Sequence, residues 1–276
     1  MVISPDYAAP MISNAPSSQV GPLLREWRQR RRLSQLDLAL AAGASARHMS
    51  YVETGRSRPS RAMVIRLCET LDVPLRERNT LLLAGGYAPE YRESGLADAN
   101  LASVRAALDT MLSAHEPYPA VVVDRYWNLV TGNRAIGVLT TGIPEHLLAP
   151  EPNVYRLVLH PEGLSSHLAN AHQVRSLLLD RLLRQAKATG DARLQALHDE
   201  IFQYPEPAGD PEPEATPPIP FQVPIRIRTP VGELSMFSTM ATFGAPADVT
   251  LSELAIELFY PLDEFTTAAL RALAGT

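Results

Sequence analysis

The chain has 276 residues, 46% hydrophobic and 20% charged, which suits two packed domains of ordinary size and excludes wholesale disorder. Its single cysteine, Cys68, excludes an intrachain disulfide; within the helically spaced "MVIRLCETL" it reads as a plain buried thiol. The formal charge of −5 is uneven: residues 21–92 hold thirteen arginines, no lysine and seven acids, a balance of +6, and the remainder carries −11, so a polyanionic partner is expected for the first third only.

Residues 1–20, "MVISPDYAAPMISNAPSSQV", contain no Lys or Arg and no sustained apolar core; they read as a disordered tail, not a secretory signal. No apolar run approaches the ~18 to 20 residues that span a bilayer. The expectation is a cytoplasmic protein with no membrane partner. Five short helices follow over residues 21–86. The first, near 21–32, turns Leu24 and Trp27 inward. Ser34 is placed to cap the second, whose core face carries Leu38, Ala39 and Ala42, and Gly43 ends it. The third runs from about Ser45 to Thr54, the fourth follows Ser60, and the fifth covers about Leu75 to Ala84. Residues 87–96 are rich in turn formers and read as a linker.

The second domain, 97–276, opens with a helix from about Leu96 to Ala114. Two short β-rich runs in "AVVVDRYWNLVTGN" come next, then a helix from about Arg134. Residues 166–203 read as two helices separated at "TGD". Residues 205–220 carry seven prolines and four acids and read as an extended surface loop. A hairpin around "PVGE", a strand near Leu254–Phe259 and a helix after Pro261 complete a mixed α and β domain with antiparallel pairing. The fold class is α+β overall.

At about 100° per residue, Ala46, Arg47, Ser50 and Tyr51 share one side of the third helix, and Met49 and Val52 fall on the other. A guanidinium, a phenol, a hydroxyl and a methyl group on one face are the groups that read base edges in a major groove. The surrounding "LREWRQRRRLSQLDLALAAGASARHMSYVETGRSRPS" resembles the helix-turn-helix of the XRE (phage repressor-like) family through Ser34-Gln35, Leu38-Ala39, Ala42-Gly43, Ser45, Glu53 and Gly55. The resemblance implies a lambda-repressor-like five-helix domain that binds double-stranded DNA, with Gln35, Ser45, Ala46, Arg47, Ser50 and Tyr51 facing it. It also implies a structural salt bridge between Arg28 and Glu53. Arg56, Arg58 and Arg61, around the following loop, are expected on phosphates. Arg30, Arg31 and Arg32 stay open between phosphate contacts and a solvated charge run.

Signals for enzymes are weak. "GLSSH" is not a G-x-S-x-G elbow, no P-loop or G-x-G-x-x-G occurs, and His167 and His172 are wrongly spaced to share a helical face as metal ligands. The expectation is a protein without catalytic residues, metal or cofactor. "LLLAGGYAPEYRES", "YPAVVVDRYWNLVTGNRA", "EPNVYRLVLHPEGL" and "RTPVGELSMFSTMATFGAPADVTLSELAIELFYP" resemble the MmyB-type regulators, with a departure at Val174, where the common pattern has a tryptophan. That resemblance implies a PAS-like domain binding a fatty acid or similar apolar ligand. Arg156, His160 and Tyr126 are the candidates for its polar head, and Trp127, Leu157, Phe237 and Phe243 for its walls. The functional expectation is a homodimeric, sequence-specific transcriptional regulator whose ligand modulates DNA binding. The alternative is a ligand-independent repressor whose C-terminal domain only dimerises or contacts other proteins.

Overall fold

The structure, a computed structural model, describes residues 19–209 and 223–274, which divide between Tyr91 and Arg92 into two units. The first unit contains α1 (Val20–Arg30), α2 (Gln35–Ala41), α3 (Ala46–Glu53), α4 (Arg61–Thr70) and α5 (Leu75–Ala84). Three of these start at a serine whose hydroxyl accepts an otherwise orphaned first-turn N–H: Ser34 from Asp37, Ser45 from His48 and Ser60 from Met63. Asp37 completes a capping box by accepting the Ser34 N–H at 2.9 Å. Gly43, at φ +64°, supplies the left-handed turn between α2 and α3. Leu24, Trp27, Leu38, Met49, Val52, Val64 and Leu67 form the shared core. Cys68 is buried within it, and burial pushes its thiol up to about 12, which keeps it inert.

Two of the expected boundaries shift. Residues 1–18 of the expected tail lie outside the described residues, and Val20 is a buried member of α1. The expected linker 87–96 is tied down at both ends. Tyr87 donates its hydroxyl to the Pro59 carbonyl (2.8 Å), and Asn79 Nδ2 donates to the Tyr91 carbonyl (2.7 Å). On the other side of the division, the Ser94 N–H donates to Asp248 Oδ2 (3.2 Å).

The second unit begins with α6 (Ala102–Ala114), β1 (Ala120–Val123), β2 (Leu129–Gly132), α7 (Gly137–Thr140), α8 (Glu145–Leu148), α9 (Val154–Leu159), α10 (Ala171–Thr189) and α11 (Ala192–Phe202). It ends with β3 (Ile225–Thr229), β4 (Gly232–Thr242), α12 (Val249–Ser252), β5 (Ala255–Pro261) and α13 (Glu264–Ala274). The strands form one antiparallel sheet in the order β2-β1-β5-β4-β3, with the helical insert between β2 and β3, the PAS-like arrangement expected. Successive side chains point to opposite faces. Val121, Val123, Met236 and Phe259 meet Tyr155, Leu182, Leu194 and Ile201 from α9, α10 and α11. Ala120, Val122 and Ile256 meet Leu108 and Leu112 of α6 on the other face.

Gly190, at φ +69°, separates α10 from α11 within "TGD". The helix expected from Arg134 is only a 3-10 turn followed by the single turn of α7, and the short helices α8, α9 and α12 had no clear period to reveal them. Of the expected proline-rich loop, residues 210–220 lie outside the described residues. Among the described residues no helix is long and apolar enough to cross a membrane.

Candidate functional site

The geometry of α3 is set by its inner face. Met49 and Val52 are buried, Arg47 is exposed, and Ala46, Ser50 and Tyr51 are half-buried. One turn apart, Arg47 Nε donates to Tyr51 Oη at 3.1 Å, and the guanidinium lies 5.4 Å from the ring centroid. Ser45 uses its oxygen as the cap, which leaves its hydroxyl hydrogen able to donate outward. Arg56 is exposed in the loop after α3.

The end of α3 is fastened to α1 and α2. Arg28 grips Glu53 through Nε–Oε1 at 2.6 Å and Nη2–Oε2 at 2.9 Å, and its Nη1 donates to the Leu33 carbonyl at 2.7 Å. Burial alone would push the Glu53 carboxyl up, but hydrogen bonds from Arg28 and Gln35 and the charges of Arg28 and Arg25 outweigh it and hold it below the usual carboxylate range. Gly21 lets α1 approach: a Cβ there would lie 2.2 Å from the Val52 carbonyl oxygen.

Several residues expected on DNA are engaged inside the unit. Gln35 turns its amide inward, Nε2 donating to Glu53 Oε2 at 2.8 Å. Arg58 donates to the Gly85 carbonyl at 2.7 and 3.0 Å and stacks 5.2 Å from the Tyr87 ring centroid. These carbonyls end α5, where a cation is favoured. Arg61 pairs with Glu90. Arg31 holds the Leu71 and Asp72 carbonyls, each at 2.7 Å, and Arg30 lies 3.6 Å from Glu26. Arg31 and Arg58 thus close the ends of α4 and α5.

The second unit holds an open cleft of about 650 Å³ lined by Val138, Leu139, Leu164, Ile227, Val231 and Leu273, with Arg134, His167 and Arg228 also in the lining. Its size falls in the usual range for small-molecule sites. Arg134 pairs with Glu116 at 3.0 Å, and Glu116 bounds a smaller adjoining recess of about 190 Å³. Arg228 donates from Nη1 to the Leu168 carbonyl at 3.3 Å, and His167 Nδ1 lies 3.3 Å from Ser166 Oγ.

Residues 104–273 match the MmyB-like transcription regulator ligand binding domain, and residues 19–81 match a helix-turn-helix domain. The chain belongs to the MmyB-like transcription regulators. A helix-turn-helix DNA-binding domain followed by a ligand-binding domain makes a ligand-regulated transcription regulator. No curated protein matches this MmyB-like chain. Among solved structures, an RNA-binding light-oxygen-voltage receptor is similar at 15% identity and a TM-score of 0.27, over 95% of this chain and 64% of that one. This chain therefore spans less than two thirds of that receptor's length.

None of the seven residues expected around the ligand lines the cleft of this MmyB-like regulator. Arg156 is held by Glu200 through two contacts of 2.7 Å, and that hydrogen-bonded pairing holds the Glu200 carboxyl below its usual range. His160 packs edge-on against Tyr204 and His146. Tyr126 lies between the guanidinium groups of Arg125 and Arg193, each 5.1 Å from its ring centroid. Trp127 is buried, donates to Gln185 Oε1 at 2.8 Å and meets the Tyr155 ring edge-on. Leu157 is buried in α9.

Phe237 and Phe243 fall on the other face of the sheet. Phe237 stacks on Tyr260, and Phe243 packs with the α6 cluster. Nothing in the sequence marks Val138, Leu139, Leu164 and Arg228 as a group, because three separate segments bring them together. A buried polar pair also went unforeseen. Glu257 on β5 accepts the Ser238 hydroxyl at 2.7 Å, and burial pushes its carboxyl up. The buried Tyr155 hydroxyl has no hydrogen-bond partner among the described residues.

Proposed function

We propose that this regulator binds double-stranded DNA as a homodimer through α3, and that a long-chain fatty acid or similar apolar ligand in the cleft modulates that binding. One recognition helix reads only a short half-site, which is why two copies are expected. The observation that carries the ligand reading is the cleft itself, an apolar volume of about 650 Å³ with Arg228 and His167 in its lining, inside the segment matched to the family's ligand-binding domain. Aliphatic walls would stabilise an acyl chain by about 0.8 kcal/mol per buried methylene. The five-donor fork of Arg228 suits a carboxylate head. Arg47 and Tyr51 on the outer face of α3 support base reading, and exposed Arg56 supports phosphate contact.

Native mass spectrometry of the purified full chain, before and after organic extraction and reloading with palmitate, tests the ligand reading. The expected result is one acyl chain per protomer, retained by the wild type and lost in Leu139→Asp. Failure of the extracted wild type to take up palmitate would overturn it.

A further inference from the structure

We propose a transition-metal site, best suited to zinc, formed by His146, His160 and Glu162. His146 stands on α8, His160 caps the end of α9, and Glu162 lies in the turn two residues later. One ligand atom from each lies within 4.8 Å of the others. His146 Nε2 is 3.5 Å from Glu162 Oε2. With zinc bonds of about 2.0 to 2.1 Å, tetrahedral donors stand roughly 3.4 Å apart, so this pair already has coordination spacing. The remaining closure falls to side chains that can move, since those of His146 and Glu162 are 57% and 63% exposed. The two imidazole planes cross at 76°, so both rings can approach one point without stacking.

His160 is the ordered member of the set. Its ring meets Tyr204 edge-on at 5.1 Å, and Tyr204 donates at 2.8 Å to Glu200, the carboxylate that holds Arg156. Its Nδ1 accepts the Glu162 N–H at 3.1 Å, so the ring's lone pair is on Nδ1. Binding exchanges that hydrogen bond for a metal–nitrogen bond. Two imidazoles and one carboxylate suit zinc and its neighbours, whereas calcium and magnesium favour oxygen shells. Three protein donors leave a fourth position for water. None of the three residues lines the cleft, so the site is independent of the apolar ligand. An ion there would tie α8 to the turn after α9 and stabilise that side of the domain by mass action.

Calorimetric titration of the untagged, chelator-dialysed full chain with zinc chloride tests the site, with cobalt(II) absorption as a second readout of coordination. The expected result is a single binding event, weakened by about tenfold or more in His146→Ala and in Glu162→Gln. His198→Ala should bind as the wild type does. Circular dichroism of the two exposed-site variants should match the wild type. No binding by the wild type, or binding undiminished in both His146→Ala and Glu162→Gln, would overturn the proposal.

Discussion

Replacing Arg28 by alanine should loosen the whole helix-turn-helix unit. The Glu53 side chain is 1% exposed and that of Arg28 11%. Arg28 supplies the contacts at 2.6 and 2.9 Å, and after its loss Glu53 keeps the neutral Gln35 amide at 2.8 Å. Breaking a buried pair by removing one partner costs about 3–5 kcal/mol. Because Gln35 remains, the lower end applies, about 3 kcal/mol, or roughly 150-fold in the opening equilibrium. Hydrogen exchange read by mass spectrometry should show this in peptides from residues 19–91, with peptides beyond residue 92 as the internal reference.

The pH dependence has a definite sign. In the wild type the Glu53 carboxyl lies below its usual range, because the Arg28 and Gln35 contacts outweigh burial. Its contribution is therefore complete above the unfolded value of about 4.3 and is lost as pH falls through the folded value. Without Arg28, burial raises that carboxyl, so the penalty relative to wild type should shrink from pH 7 towards pH 4 or so. Arg28→Met with Glu53→Met should recover most of the loss. A change of less than about tenfold in Arg28→Ala, or a double variant as damaged as the single, would refute the reasoning.

Arg47→Ala should narrow the discrimination between operator variants at one base position by about 1–3 kcal/mol, measured by anisotropy over a set of single-base changes. Arg56→Ala should lower the salt slope of DNA binding by about one unit and leave hydrogen exchange in the unit unchanged. Arg58→Ala should do the reverse: the salt slope is kept, and the end of α5 loses about 1 kcal/mol of protection as the Gly85 carbonyl loses its donors. Tyr155→Phe should be neutral or stabilising by up to about 1 kcal/mol in thermal unfolding, since the hydroxyl removed is buried and without a partner among the described residues.

What could be read from the sequence was local. Ser34, Ser45 and Ser60 cap helices through bonds three residues away, and Gly43 turns the chain where the α2 pattern stops. The pairing of Arg28 with Glu53 followed from a family resemblance, not from spacing. The internal bonds of Gln35 and Arg58 were not legible because their partners lie 18 and 27 residues away, and these partners compete with DNA for the same donors. Phe237 and Phe243 lie away from the cleft, which the sequence did not reveal for a different reason. With helices covering both faces of the sheet, apolar residues occupy both parities of the strands, and alternation no longer tells which face a phenylalanine joins. Arg156 looked like a free cation until Glu200, 44 residues on, was brought beside it.

The central claim is a coupling between the cleft and the DNA-reading helix, and operator affinity with the cleft loaded and emptied measures it most directly. With an operator found by binding-site selection, anisotropy titrations of the extracted full chain, alone and with saturating palmitate, should differ by about fivefold or more. Leu139→Asp, with its cleft spoiled, should show one affinity in both conditions. Equal affinities in the wild type, or a palmitate effect that persists in Leu139→Asp, would contradict the account.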